Sequence, residues 1–366
     1  FRRQNMKKKS LSAKKITPKN FNFIKILKNK KIYEIYKSFV NNYKNFDKSK
    51  KIAISVSGGP DSLALSFLIL CYKSQINNRI QPFFYLIDHG LRSNSEIEAK
   101  LVKKQFKFKK LNLKILKWRG KKPKSNLQSL ARQKRYNLLF AECKKLNIET
   151  ILTAHHQDDF YETFFSRLLR GSGTEGLSSF AEIENKINFK GNSIKIVRPL
   201  LNFDKEKLIY LAKNVFSFYV NDPSNTMNRF QRVRIRKLIS HLKTEGLDFN
   251  KLKLTLNNLS STNKAINEIV EINILKNKIF KNKKYIINSN FFSLPNEIVF
   301  RSLSKLIKNL NGKYYAPRGR KLTKLINNLK DKDSYKATLG GTIIKKLHNS
   351  VIVAQEKQKK AKFATI

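Results

Sequence analysis

The sequence predicts an α/β fold: a parallel sheet with helices on both faces, followed by a helical domain and a small α+β C-terminal domain. Three observations carry this. Short apolar runs rich in β-branched residues alternate with helical patterns over the first half of the chain, as parallel strands joined by crossover helices require. Residues able to do chemistry cluster where those strands end, the edge at which such sheets hold ligands. Beyond about residue 245 the composition turns to Leu/Asn/Lys-rich helical segments, then to mixed short runs.

The elements follow in order. Residues 1–31 read as a basic extension, with no acidic residue before Glu34. Ile32, Ile35, Tyr36, Phe39, Val40 and Tyr43 recur at helical spacing, so an amphipathic helix precedes the first strand. Strands are predicted at 52–57, 82–88, 112–117 and 150–154, and helices at 61–73, 95–109, 126–146 and 157–170. Short β-like runs surround Gly191-Asn192, and a helical span over 204–245 breaks near Asp222-Pro223-Ser224. Gly340-Gly341 marks a turn between two β-like runs, and a lysine-rich tail follows Gln355. The domains are therefore read as 32–219 for the sheet, 220–285 for the helical domain and 286–366 for the α+β domain.

The loop Ser57-Gly58-Gly59-Pro60-Asp61-Ser62 joins the first strand to its helix. Two glycines let backbone N–H groups approach a ligand, Pro60 suits the first helical turn, and the helix N-terminus adds partial positive charge. Ser57 and Ser62 add hydroxyls, and Asp61 offers a carboxylate to a metal ion, taken as Mg²⁺. This is a phosphate cradle for a nucleotide. It is not a Walker-type loop, because Asp61-Ser62 stands where that motif needs Lys-Ser/Thr. Asp88 and His89 end the second strand and would lie beside the nucleotide.

His155-His156-Gln157-Asp158-Asp159 sits where the fourth strand meets its helix, and Glu162 follows on the same helix face. Asp158, Asp159 and Glu162 make an anionic pocket suited to Mg²⁺ or to a substrate ammonium group. Adjacent histidines make two inward zinc ligands awkward. Arg167-Leu168-Leu169-Arg170-Gly171-Ser172-Gly173-Thr174 could contact phosphate or close a helix C-terminus. Arg132 and Arg135 share the preceding helix. Arg232, Arg234 and Arg236, spaced by two, cannot all face one way on a helix.

The chain has 366 residues with 77 Lys+Arg against 25 Asp+Glu, a net charge of +52. Such a balance points to a polyanionic partner, RNA or DNA. Abundant Lys, Asn, Ile and Phe also carry the mark of an AT-rich genome, which accounts for part of the charge. Cys71 and Cys143 are far apart and form no Cys-x-x-Cys pair, which fits a reducing, cytoplasmic compartment and suggests neither a zinc site nor a sulfur relay. No run of 18 apolar residues predicts a membrane span.

The loop at 57–62 resembles that of the PP-loop ATPases (adenine nucleotide α-hydrolase-like, Rossmann-type), which cleave ATP between its α- and β-phosphates. An ordered set of further motifs narrows this. Asp88-His89-Gly90-Leu91-Arg92, Ala154-His155-His156-Gln157-Asp158-Asp159 with Glu162-Thr163, and Arg167–Gly173 come first. Arg198-Pro199-Leu200-Leu201, Asp222-Pro223-Ser224-Asn225 and Arg232-Val233-Arg234-Ile235-Arg236 follow. Together they resemble the tRNA(Ile)-lysidine synthetase family over about 50–240, and more weakly as far as Leu339-Gly340-Gly341.

The resemblance implies ATP-dependent ligation of L-lysine to C2 of the wobble cytidine of tRNA(Ile) bearing a CAU anticodon. An adenylated tRNA is the intermediate, and AMP and pyrophosphate are released. It implies ATP contacts from Ser57 to Ser62, Asp88 and His89, and lysine binding or catalysis by His155, Asp158, Asp159 and Glu162. Arg132, Arg135, Arg170, Arg232, Arg234 and Arg236 become contacts to tRNA or adenylate, and the helical domain a tRNA-binding one. A homodimer is allowed but not required. Three positions depart from the family pattern: Phe160 for glutamine, Val233 for asparagine, and Thr342 where cysteine is frequent. The rival readings are a 2-thiolation-type PP-loop tRNA enzyme, which should carry paired cysteines, and a basic RNA-binding relative without catalysis.

Overall fold

A computed structural model describes residues 23–46, 49–91, 94–120, 127–178, 184–189, 192–221, 231–311, 317 and 319–356. Most of the basic extension, Gly191 and the Asp222–Asn225 motif lie outside the described residues. The chain divides into two compact units, Phe1–Lys253 and Leu254–Ile366. The sequence reading instead sets boundaries at 219/220 and 285/286.

In the first unit, helices α1 (Phe23–Ile26) and α2 (Lys30–Tyr43) precede strand β1 (Lys51–Val56) and helix α3 (Pro60–Gln75). Strand β2 (Gln81–Asp88), helix α4 (Ser95–Phe108), strand β3 (Leu113–Lys117) and helix α5 (Leu127–Lys145) come next. Strand β4 (Thr150–Leu152), helices α6 (Gln157–Leu168) and α7 (Thr174–Ser178), and strands β5 (Glu184–Phe189) and β6 (Asn192–Val197) complete the sheet. Helices α8 (Lys205–Phe216), α9 (Gln231–Thr244) and the start of α10 (Phe249–Asn277) close the unit.

The strand order is β3-β2-β1-β4-β6-β5. All pairings are parallel except β5 with β6. β1 is central, with Ile52 opposite Thr150 and Ile54 opposite Leu152 on one side and Ile52 opposite Pro82 on the other. Its residues Ile52, Ala53, Ile54 and Val56 are buried, as a strand covered on both faces requires. One layer of core packs α2, α3 and α8 through Phe39, Tyr43, Phe67, Leu68 and Leu211. The other face is covered by α5 through Leu139, Phe140 and Cys143. The strand order reverses between β1 and β4, so the carboxyl ends of these two strands open a crevice at the switch point.

The second unit has its own core. The end of α10 leads into β7 (Lys278–Lys281) and β8 (Lys284–Asn288), then α11 (Asn296–Asn311), α12 (Gly319–Asp331), β9 (Ser334–Leu339), β10 (Thr342–Leu347) and β11 (Ser350–Gln355). The antiparallel sheet runs β7-β8-β11-β10-β9. Leu303, Leu306, Leu322 and Ile326 of the helices pack with Ile344, Val351 and Val353. Gly340 and Gly341, at φ +66° and +88°, make the tight β9–β10 turn. Thr342 is buried there, its hydroxyl donating to the Leu339 carbonyl at 2.7 Å. Residues 278–281 correct the helical reading of this stretch: Asn277 ends α10, and a turn at Asn282-Lys283 folds the segment onto β8.

Two departures from the family pattern have packing reasons. Val233 is buried on α9. Phe160 is only 1% exposed and meets the Phe249 ring edge-on, centroids 5.4 Å apart. Restoring glutamine at 160 would bury an amide and forfeit the ring contact. We expect Phe160→Gln to destabilise the chain by roughly 3 kcal/mol, read as a lower urea midpoint; an unchanged midpoint would show that this aromatic pair does not hold α6.

Candidate active site

The loop at 57–62 leaves β1 and turns into α3 within three residues. Gly58 has φ +84°, and a Cβ there would come within 2.6 Å of Val102 and 3.1 Å of Val220. Glycine is therefore required both by conformation and by space. The Gly58 carbonyl accepts from Val220 N–H at 2.9 Å, which pins the loop from outside the sheet. Ser62 Oγ accepts from Ser57 N–H at 3.1 Å and donates to the Gly59 carbonyl at 3.0 Å. Gly59 N–H in turn donates to Ser57 Oγ at 3.3 Å. Gly59 caps α3 and Pro60 opens it. The two serines thus shape the nest, and α3 points its unpaired N–H groups along it.

Asp61 stands in the first turn of α3 with its Oδ1 atom buried and without a hydrogen-bond partner. Burial holds its carboxyl above the ordinary carboxylate range; Asp159 adds to this, while His156 and Lys205 oppose it. His156 is the link to the second constellation. It is 4% exposed, and its Nε2 lies 3.7 Å from Asp61 Oδ2 and 3.5 Å from Asp159 Oδ2. Its Nδ1 accepts from the Asp158 backbone N–H at 3.3 Å, while the His156 backbone N–H donates to Asp159 Oδ2 at 3.2 Å. This is a reciprocal cap of α6 with histidine in the role usually taken by serine or threonine.

The neighbouring His155 has Nδ1 2.9 Å from the hydroxyl of Thr153. Burial depresses its pKa to about 3; Asp159 opposes that, and the positive charges of Arg198, Arg132 and Arg135 reinforce it. The imidazole is therefore neutral at physiological pH. A second guanidinium group meets this flank: Arg167 donates to the Gly176 carbonyl, and its pKa is lowered by burial and by the charges of Arg132 and Arg170. Arg170 reaches Gln231 Oε1 at 3.3 Å. Arg132 and Arg135 both lie against the Tyr136 ring.

The three acids of α6 take different hydrogen-bond partners but share one cation, since Asp158 and Asp159 as well as Glu162 act on Arg236. Asp159 serves His156, buried Glu162 is hydrogen-bonded by Arg236 Nε, and Asp158 lies 3.8 Å from Lys243 Nζ. Among the described residues no three His, Cys, Asp or Glu side chains converge to hold a metal ion. Arg236 would lose basicity through burial, but Glu162 raises it above its ordinary value. Arg234 is exposed on α9, and the side chain of Arg232 lies outside the described set. Asp88 ends β2, buried, with Oδ1 accepting from Gly90 N–H at 2.9 Å; His89 meets the Trp118 ring edge-on. Sequence reasoning named His155 and passed over its neighbour His156, Thr153 and Lys205. The backbone is extended before α6 (φ −127° and ψ −175° at His156), which lets the His156 side chain cap the helix.

Comparison with known proteins gives the family and the fold. Residues 28–242 match the family model described as a PP-loop domain. A tRNA(Ile)-lysidine synthase of Wolbachia pipientis wMel is 33% identical over 322 residues, covering 84% of this chain and 71% of that protein. The tRNA(Ile)-lysidine synthase of Rickettsia bellii is 30% identical over 345 residues, covering 90% and 75%. Among solved structures, the U34-tRNA thiolase NcsA from Methanococcus maripaludis, with its [4Fe-4S] cluster, aligns with a TM-score of 0.53 at 16% identity. It covers 63% of this chain and 78% of its own, a likeness of fold.

A carboxylate whose folded pKa is raised stabilises the fold below its unfolded pKa, here 3.8. That contribution is lost as pH rises through the folded value. Ionised Asp61 therefore costs stability at neutral pH. We expect Asp61→Asn to melt above the wild type at pH 7.5, with the gain vanishing as pH falls toward 4. Thermal melts across that range, without nucleotide, check the sign; a lower melting point for the variant at pH 7.5 refutes it.

Proposed function

Because this chain belongs to the tRNA(Ile)-lysidine synthase family of PP-loop enzymes, we propose that it joins L-lysine to C2 of the wobble cytidine in tRNA(Ile) with a CAU anticodon, using ATP. The observation that carries this reading is the shared imidazole. His156 brings the acid of the phosphate loop and the acid of α6 to one point. A triphosphate seated at Gly58 and Gly59 and an ammonium group received by Asp159 would then meet beside His155.

The first step forms a bond between cytidine O2 and the α-phosphorus of ATP and breaks the bond to pyrophosphate. N–H groups of the 57–62 nest and the α3 N-terminus receive charge on the departing phosphates. Mg²⁺ fits here: Asp61 presents a buried, unpartnered oxygen, and this ion is commonly held by one or two carboxylates together with phosphate oxygens. Bound there, it would neutralise charge on the leaving group. In the second step the lysine ε-amine, having lost a proton, attacks C2, and O2 departs with AMP.

Asp159 orients the amine and takes its proton. Glu162 has one oxygen engaged by Arg236, so it holds α9 against α6 and keeps Arg236 at the site. Neutral His155 donates a hydrogen bond to the adenylate without adding charge. Arg132, Arg135 and Arg170 receive RNA phosphate or the adenylate. Asp88 and His89 flank the nucleotide. The 2-thiolation alternative is disfavoured, since both cysteines of this chain are buried. Those thiols suit a reducing cytoplasm, and among the described residues no helix is long and apolar enough to cross a membrane.

Incubation with ATP, labelled lysine and tRNA(Ile) transcript, followed by nucleoside analysis, is expected to yield lysidine together with AMP. Label retained with a cytidine-to-uridine anticodon variant would refute the assignment of the acceptor base. Asp61→Ala should abolish pyrophosphate release while tRNA affinity changes less than about twofold; parallel loss of both would count against the division of labour.

A further inference from the structure

The second unit carries a surface that the chemistry above does not use. Strands β7 and β8 form a hairpin in which Lys281 pairs with Lys284, leaving Asn282-Lys283 as a two-residue turn. Both turn residues have positive φ, +52° and +59°. This is the type I′ geometry, in which the second position strongly prefers glycine. Lysine there carries a local strain that glycine would not. Lys276, Lys278, Lys281, Lys283 and Lys284 crowd the hairpin, and no acidic residue occurs from 272 to 296.

Aromatic surface accompanies the charge. Phe280 is 57% exposed, at the end of the core rather than in it. Its ring lies beside that of its cross-strand partner Tyr285, centroids 5.0 Å apart, and Lys278 Nζ sits 5.3 Å over the Tyr285 ring. An exposed ring framed by ammonium groups suits an unpaired base with its phosphates. β7 is also an edge strand, and lysines on both its ends oppose pairing with a second copy.

We propose that the β7–β8 hairpin is a nucleic-acid contact: Phe280 stacks on an unpaired base of the bound tRNA, and Lys283, held at the turn by its left-handed backbone, meets phosphate. This rests on the reading of tRNA as substrate and adds a contact surface to it.

Binding of full-length protein to tRNA(Ile) transcript, measured by fluorescence anisotropy across a salt series, tests it with two variants. Lys283→Gly removes the charge and relieves the turn. It should melt no lower than wild type, yet bind tRNA more weakly with a salt dependence shallower by about one phosphate contact. Phe280→Ala should weaken binding on the order of tenfold with the salt slope unchanged. If the wild type binds tRNA and neither variant differs from it, the hairpin proposal falls while the lysidine reading stands. If the variants instead lose only binding to vesicles of phosphatidylserine and phosphatidylcholine, the hairpin is a membrane contact and the proposal falls. A wild type that binds no tRNA overturns both readings.

Discussion

The buried His156 ring, within 4 Å of a carboxylate oxygen on each of Asp61 and Asp159, ties the phosphate loop to the start of α6. One carboxylate belongs to the helix after β1 and the other to the helix after β4, adjacent parallel strands at the centre of the sheet. Without the imidazole, two acids would face each other across the switch-point crevice, with Lys205 acting on Asp61 and Arg236 on Asp159 as counter-charges. Like charges so placed repel strongly in a partly dehydrated setting. The histidine also caps α6, so the same side chain that moderates the repulsion fixes the direction of the helix carrying Asp159. Local backbone chemistry and site electrostatics are thereby one constraint.

That arrangement divides the neighbourhood of His155 by charge. Asp159 pulls its imidazole toward protonation, while Arg198, Arg132 and Arg135 push the other way, and burial decides for the neutral ring. Arg167 and Arg170 extend the cationic flank. Acids gather toward the phosphate loop and α6, guanidinium groups toward α5 and the end of α6. A substrate that brings a cationic amine and polyanionic RNA to the same atom needs both flanks, with a neutral hydrogen-bonding group at their boundary.

Much of this was legible from residues because the local signals agree with one another. The β-branched run before Ser57, the paired glycines and Pro60 each specify the same strand–loop–helix, and the observed β1 and α3 start within a residue of the expected places. The helix after His155-His156 and the turn at Gly340-Gly341 were readable for the same reason. What stayed hidden depends on contacts distant in sequence. The pairing of Glu162 with Arg236 spans 74 positions, so the cation that α9 brings to the acids of α6 cannot be read from either helix alone. The boundary near 253 was invisible because α10 passes through it without a break in pattern. β7 was masked because four residues flanked by asparagines carry too little periodicity to separate from a fraying helix.

The departures from the family pattern at 160 and 233 fall at buried positions. Glutamine at 160 and asparagine at 233 suggest a polar face when seen as motif letters. Here both positions are buried, and Phe160 meets Phe249. A polar amide at either place would need a buried partner, so an apolar replacement relieves that demand and adds contact area. Neither substitution alters a group that faces Asp61, His156 or Asp159. At position 160 the demand for a buried partner is replaced by one ring contact, so the side chains at 160 and 249 together hold the start of α10 against α6.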